Sequence, residues 1–327
     1  MKAMVTGMVK PRVVVSKCLE FDKCRYDGSM IRSPLVAMLK PVVEFVPVCP
    51  EVEAGLGVPR DPIRIMGTGD ERRLIQPSTG RDFTADMRRF VGEFLGGIGE
   101  VDGFILKSRS PSCGFTDVKL YSAKPGVTGP SGKGSGFFGA AVMERFGDLA
   151  VEDEGRLNNF RIREHFLTRL FAIARFRKER AVPSMSRLVK FQAENKLLLM
   201  AYNQAGMRKL GRIVANHERM PVPEVFGLYS EGLRAALMKP PRHVSNINVL
   251  MHALGYFSEK ITAREKSFFL ESLERYRLGK IPLSSPIHIV RSWIARFGTE
   301  YLADQTFFDP YPEQLVEITD SGKGRDL

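Results

Sequence analysis

No apolar run in this chain approaches the roughly 20 residues that a membrane-spanning helix needs. The opening segment MKAMVTGMVKPRVVVS also lacks an apolar stretch of leader length ahead of a small-residue cleavage site. Both absences point to the cytoplasm and to no membrane partner. Cysteine is scarce, with four in 327 residues. In a reducing compartment so few thiols argue for metal binding or catalysis before disulfides. No C-x2-C pair occurs; the nearest cysteines are Cys18 and Cys24, which is unlike the usual spacing of a zinc site. There is no internal repeat, no Walker pattern and no dinucleotide fingerprint after a first strand. The five histidines all lie in the second half without close pairing and read as core or surface residues.

What is present describes a globular protein. The chain is 43% hydrophobic and 26% charged, enough to bury real cores, and its length favours two domains. The formal charge is +12, and a strongly basic surface concentrates polyanions. That charge is uneven: residues 1–150 carry 21 Lys and Arg against 17 Asp and Glu, whereas residues 156–219 alone carry 15 against 4. Nucleic acid is the partner this segment suggests, although a solvated helix face has the same composition.

Periodicity divides the chain in two. The first half alternates short β-branched runs with amphipathic stretches: Val13 to Ser16, Phe45 to Val48 and Gly103 to Leu106 read as buried strands. Between the first two, Ser33-Pro34 reads as a helix start. Between the second and third, Asp82 or Thr84 can cap a helix with Met87, Phe90, Val91, Phe94 and Leu95 on one face. Such alternation predicts an α/β domain with a Rossmann-like parallel sheet. From about Arg156 the spacing is helical throughout, broken at Val182-Pro183, Pro221 to Pro223, Lys239 to Pro241 and Gly279 to Pro282, which predicts an all-α second domain. The acidic stretch Glu152 to Gly155 reads as the separator within Gly147 to Gly155, giving domains of residues 1–152 and 153–327. The tail Ser321 to Leu327 reads as frayed.

Each predicted strand is followed by a cysteine: Cys18, Cys49 and, after a short loop, Cys113. In an open parallel sheet the loops at the carboxyl ends of the strands share one crevice, so three thiols distant in sequence converge. One thiolate per loop suits an iron-sulfur cluster better than zinc, while unligated core cysteines stay open as an alternative on spacing alone.

Three blocks sharpen the reading: Ser16 to Leu19 leading to Cys24 to Gly28, then Val48 to Glu51 leading to Pro59-Arg60, then Lys107 to Gly114. In order and spacing they resemble the signature blocks of the thiouracil desulfurase family from about residue 12 to 150. The resemblance implies a 4Fe-4S cluster bound by Cys18, Cys49 and Cys113, with one iron left unligated by protein to accept the sulfur of a thiocarbonyl. Cys24 lies near enough to Cys18 to be an alternative or fourth ligand, which would close the site. Phe191 to Leu199, Gly211-Arg212, Asn248 to His252 and Gly255 to Phe257 resemble the YbgA-type helical domain. Fused proteins of this architecture look like tRNA 4-thiouridine desulfidases, which implies tRNA as partner and sulfide as product.

Glu51 stands two residues beyond Cys49 and is the candidate general acid/base, with Glu53 as competitor. The bland alternative is a carboxylate that merely pairs with Arg60 or Arg64. Ser110 is the second catalytic candidate, with Ser112 beside it; a Ser-Pro turn is the competing role for Ser110. Arg25 to Gly28 reads as a base-stacking element or an ordinary turn. Gly132 to Gly136 reads as a flexible loop over the site. Arg163, Arg169, Arg175, Arg177 and Lys178, all in one predicted helix, form the expected tRNA-docking face. Two other functions compete: a desulfurase of free thiouracil-type bases, and a non-enzymatic iron-sulfur nucleic-acid sensor in which all four cysteines bind the cluster.

Overall fold

The computed structural model describes residues 9–67, 71–123 and 129–316; the tail Ser321 to Leu327 lies outside them. Its centre is a four-stranded, wholly parallel sheet formed by β1 (Arg12–Ser16), β2 (Glu44–Val48), β5 (Gly103–Leu106) and β8 (Ala150–Asp153), in the order β2-β1-β5-β8. β1 and β5 are the inner strands, and Val13, Val14, Val15, Phe104, Ile105 and Leu106 are fully buried. Pro47 cannot donate to a ladder, and it sits in β2, an edge strand paired on one side alone. The three strands expected from the sequence are β1, β2 and β5. The fourth was expected to be a separator: the acidic stretch begins inside β8, where Asp153 is buried and accepts from the Arg156 amide at 2.8 Å.

The helices are α1 (Pro34–Leu39), α2 (Pro50–Glu53), α3 (Thr84–Gly97) and α4 (Phe137–Phe146). Pro34 opens α1 as expected, though Ser33 makes no side-chain cap. Before α3, Asp82 accepts from the Thr84 amide at 2.9 Å. The inward face of α3, Met87, Val91 and Leu95, joins Val14, Phe104, Leu106, Phe138 and Val142 in one core. Burying such side chains stabilises by about 1.5–3 kcal/mol each.

A second sheet was not foreseen. It has the order β4-β3-β6-β7, from β3 (Arg64–Met66), β4 (Arg73–Ile75), β6 (Val118–Tyr121) and β7 (Pro130–Gly134). Its strands are three to five residues long, too short to show a period. β7 reads Pro-Ser-Gly-Lys-Gly and owes its extended form to antiparallel pairing with β6. The glycine-rich segment expected as a flexible loop over the site is therefore mostly a paired strand.

The chain forms two compact units, one containing the residues up to Ala174 and the other Arg175–Glu313, and the division falls inside α5 (Phe160–Ala181). The second unit is all helical: α6 (Met185–Glu194), α7 (Lys196–Tyr202), α8 (Gln204–Ala215), α9 (Val222–Ala236), α10 (His243–Gly255), α11 (Ala263–Arg277), α12 (Ser284–Phe297) and α13 (Glu300–Ala303). The proline- and glycine-marked breaks of the sequence fall at junctions between these helices. An aromatic nucleus of Phe176, Phe191, Phe226 and Tyr229 holds α6 and α9 to the end of α5, with ring centroids 5.2–6.0 Å apart. Among the described residues no helix is long and apolar enough to cross a membrane.

Candidate active site

The strand order makes the crevice. From β1 the chain moves outward to β2, then returns to the other side of β1 with β5; ligands bind outside the carboxyl ends of strands at such a reversal. Those ends carry Cys18 after β1, Cys49 after β2 and the Ser108–Cys113 loop after β5.

All four cysteines are free thiols, and Cys24, Cys49 and Cys113 are buried. The Cys24 thiol is in hydrogen-bonding contact with the thiols of Cys18 and Cys49. The Cys49 thiol also points at the Cys24 carbonyl, 3.8 Å away. Cys113 has the Ser16 and Ser112 hydroxyls beside its sulfur and is electrostatically coupled to Cys49. The Cys18 contact, with burial, pushes the Cys24 thiol up to about 11. Burial pushes Cys113 up to about 12, and the contact with Cys24 followed by burial raises Cys49. The raised Cys24, Cys49 and Cys113 thiols keep their protons at neutral pH, and a bound cationic centre would displace them. The sequence read Cys24 as a possible alternative or fourth ligand; the fold places its thiol in contact with those of Cys18 and Cys49.

Among the described residues no three His, Cys, Asp or Glu side chains converge on a point that one metal ion could fill. The donor set, thiols alone and from separate strand ends, fits a polynuclear iron-sulfur group, whose ligands bind different irons and need not converge.

Beside the cysteines lies a buried polar network centred on Glu51. α2 starts at Pro50 with Cys49 as its N-cap, so a thiol and a carboxylate enter the crevice together. The side chains of Glu51 and Arg60 are 12% and 4% exposed. Arg60 grips Glu51 Oε2 with Nε at 2.9 Å and Nη2 at 2.6 Å, and its Nη1 donates to the carbonyls of Cys24 at 3.1 Å and Gly57 at 2.8 Å. The ion pair foreseen with Arg60 is thus present. The other oxygen, Oε1, accepts from Ser112 Oγ at 2.6 Å and lies 3.4 Å from Ser110 Oγ. Ser110 and Ser112 are 2.9 Å apart, and Ser110 Oγ accepts from the amides of Ser112 and Cys113 at 3.2 and 3.1 Å. Ser110 therefore shapes the turn and also faces the carboxylate. Glu53 is exposed.

The Cys113 loop is seated on the start of α4. A Cβ at Gly139 would lie 2.4 Å from the Gly114 carbonyl oxygen and 2.6 Å from that of Cys113. The amides of Phe138 and Gly139 donate to Ser112 O at 2.9 and 3.0 Å. On the β8 side, Glu154 accepts from the Ser108 amide and hydroxyl, both at 2.8 Å, and pairs with Lys107, while the Lys107 amide donates to Ser16 Oγ at 2.8 Å. Sequence reasoning missed this brace because the acidic run read as a separator.

Arg25 to Gly28 forms a tight turn: Gly28 adopts φ 71°, its amide donates to Arg25 O at 2.9 Å, and Asp27 accepts from the Ser29 amide at 3.0 Å. Tyr26 is 43% exposed, and its carbonyl accepts from the Arg60 amide at 2.8 Å. The turn is tied to the residue that grips Glu51.

The arginines expected to dock tRNA behave otherwise. Arg163 and Arg169 are buried; Arg163 donates to Leu157 O at 3.1 Å, and Arg169 to Leu149 O at 2.7 Å and Asp148 O at 3.1 Å. Arg175 donates to Pro310 O at 2.8 Å, and burial lowers its guanidinium to about 10. Lys178 is exposed and Arg177 half-buried. With Arg163, Arg169 and Arg175 turned toward backbone carbonyls and Lys178 alone of the five exposed, the expected docking face on α5 is not a row of solvent-facing cations.

Residues 13–154 match the family model described as 2-thiouracil desulfurase, and residues 196–312 match a protein family of unknown function, DUF1722. The chain is 27% identical over 182 residues to the uncharacterized protein YbgA of Escherichia coli (strain K12), covering 55% of this chain and 98% of that protein. It is 34% identical over 109 residues to the uncharacterized protein YbbK of Bacillus subtilis (strain 168), covering 31% of this chain and 72% of that protein. A solved structure, the 4Fe-4S-dependent thiouracil desulfidase TudS, is 31% identical, with 45% of this chain and 93% of that chain covered and a TM-score of 0.36. Motifs, sequence match and site geometry agree in the first half: through residues 13–154 the chain belongs to the 2-thiouracil desulfurase family.

Proposed function

We propose that this protein is an iron-sulfur-dependent, non-redox desulfidase that converts 4-thiouridine in tRNA to uridine, releasing sulfide. The observation that carries the reading is the Glu51 carboxylate, clamped through Oε2 by Arg60 and turned through Oε1 toward Ser110 and Ser112, beside the strand-end cysteines. Cys18, Cys49 and Cys113 would hold a 4Fe-4S cluster with one iron unligated by protein. When bound, the cluster supplies a Lewis acid for the thiocarbonyl sulfur. The exchange consumes one water: a C–O bond forms at the ring carbon, the C–S bond breaks, and sulfur leaves as hydrosulfide with no net electron transfer. Glu51 Oε1 takes the proton of the attacking water and returns it to the departing group. Arg60 keeps Oε2 out of that traffic, and Ser112 Oγ passes a proton or holds the pyrimidine. Support for tRNA comes from the basic helical unit, where residues 175–313 carry 22 Lys and Arg against 13 Asp and Glu.

The test is to incubate anaerobically prepared, cluster-loaded protein with bulk tRNA, digest it and count nucleosides. Loss of 4-thiouridine with equal gain of uridine is the expected result. Unchanged 4-thiouridine together with desulfurisation of free 2-thiouracil would favour the free-base reading, which the family description supports. A cluster that needs Cys24, with no turnover of either compound, would favour the sensor.

A further inference from the structure

The charge that first suggested a polyanion is still present in the fold, but on a different helix. α8 carries Ala205, Arg208, Lys209, Arg212 and Ala215 at positions that share one face, and all five are exposed. The opposite face is apolar: Leu210 is fully buried, and Met207, Ile213 and Val214 are half-buried. That face packs on α9 in an antiparallel pair, since Cβ atoms built at Gly206 and Gly232 would lie 3.1 Å from Ala236 and 2.8 Å from Leu210. The helix is fixed at both ends. Asn203 accepts from the Gly206 amide at 2.9 Å; after α8, Asn216 takes the left-handed conformation and clamps Met220 with two hydrogen bonds of 2.8 and 3.0 Å. The turn so formed presents Arg219, also exposed.

No neighbouring carboxylate is in ion-pair contact with this stripe among the described residues. On the α6 side, Glu179 pairs with Arg187 at 2.8 Å and Glu194 with Lys190 at 3.8 Å. Exposed Glu224 and Glu231 bound the face on the α9 side, and Glu218 lies in the turn. Among the described residues Arg208, Lys209, Arg212 and Arg219 form no ion pair. Four cations on a rigid helix and its closing turn, flanked by alanines that let a backbone approach closely, match a row of phosphates rather than a base edge.

We infer that the outward stripe of α8, Arg208, Lys209 and Arg212, extended by Arg219, docks the phosphate backbone of RNA. The choice of RNA rests on the tRNA reading above. The stripe confers affinity with little sequence readout, leaving recognition of the thiolated base to the crevice.

The experiment compares the full-length protein with the triple variant Arg208→Gln, Lys209→Gln, Arg212→Gln, since glutamine is a good helix former and keeps the side-chain length. Binding to bulk tRNA is measured by fluorescence anisotropy across a salt series, and desulfurisation of free 4-thiouridine is followed in parallel. We expect tRNA affinity at low salt to fall at least tenfold in the triple variant. The log-log salt slope should flatten by about 2–3, from roughly 0.9 per neutralised phosphate on duplex DNA. Desulfurisation of free 4-thiouridine should match the parent protein, and Arg208→Lys with Arg212→Lys should restore binding. Parent-like tRNA affinity and slope in the triple variant would overturn the inference while leaving the desulfidase reading intact. A parent protein that binds tRNA through α8 yet removes no sulfur would sink the desulfidase reading and leave the stripe standing. A parent protein that ignores tRNA but binds phosphatidylserine vesicles through these residues would overturn the choice of RNA.

Discussion

Around Glu51 every polar group is held by another: Arg60 holds the carboxylate, Ser112 faces it, Ser110 fixes the turn, and Glu154 braces the start of the same loop. Along α8 the cations are exposed and unpaired. The difference is between a site where geometry must be set before substrate arrives and a surface where charge density suffices. Removing one member of a coupled, buried constellation is felt in full, because the remaining groups were placed to suit it. Removing one cation from an exposed stripe costs about its own share of a salt-screened attraction. The first region should therefore respond in an all-or-none way and the second by degrees.

The severest challenge to that contrast is at the cysteines. Cys49→Ala and Cys113→Ala should each leave the protein without bound iron and without turnover, measured as iron per chain and as visible absorption after anaerobic reconstitution. Cys24→Ala should retain both. Loss of iron in Cys24→Ala with retention in Cys18→Ala would move the ligand from Cys18 to the thiol in contact with it.

One step smaller is Glu51→Gln, expected to keep iron and fold while turnover falls about 100- to 10,000-fold, the usual range for a general acid/base. The amide oxygen can still accept from Arg60 and its NH2 can donate to the Ser112 hydroxyl, but the group cannot carry the proton. Glu53→Gln, at an exposed position, should stay near the parent rate. A normal rate in Glu51→Gln would make the Arg60 pair a purely structural clamp.

α5 tests whether basic composition by itself predicts behaviour. Arg169 is buried and bonded to two carbonyls, so Arg169→Ala should cost about 2–4 kcal/mol in urea unfolding, the scale of charged hydrogen bonds lost with nothing in their place. Arg208→Ala on α8 should stay within about 0.5 kcal/mol of the parent. Equal effects would erase the distinction between the two helices.

How much of this was legible follows the same physics. β1 and β5 could be read because buried apolar runs stand out, and β2 as a short β-branched run, although at the sheet edge only its Val48 is buried; the cysteines at their ends followed from the parallel sheet. The second sheet could not, since β3 and β4 have three residues each and β7 has no apolar side chain besides its proline; their conformation comes from pairing partners remote in sequence. Glu51 and Ser110 were legible as types in a block and Arg60 as a possible partner of the carboxylate, but the role of Glu154 emerged from a contact spanning 46 residues. Charge misled most: Arg163 and Arg208 look alike in the sequence, and packing alone decides which one meets solvent.

A pH-dependent effect is expected at a carboxylate on the buried-charge side of the comparison. Glu164 lies half-buried in α5, and burial raises its pKa from the ordinary 4.5 to about 7, against the partial relief of Arg163 and Arg161. A carboxyl whose folded pKa is raised binds its proton more tightly in the folded state than in the unfolded chain. Its favourable contribution is complete below about pH 4.5 and is lost as pH rises through about 7. The loss is on the order of 2 kcal/mol once the partly open side is discounted for solvent screening. Glu164→Gln removes the titration while keeping shape and polarity. The variant should match the parent near pH 4.5 and be the more stable of the two at pH 8, with the difference opening between those values. Urea unfolding at pH 5, 6, 7 and 8 measures it, and parallel curves for the two proteins would mean that Glu164 reaches solvent freely and belongs with the exposed charges of α8.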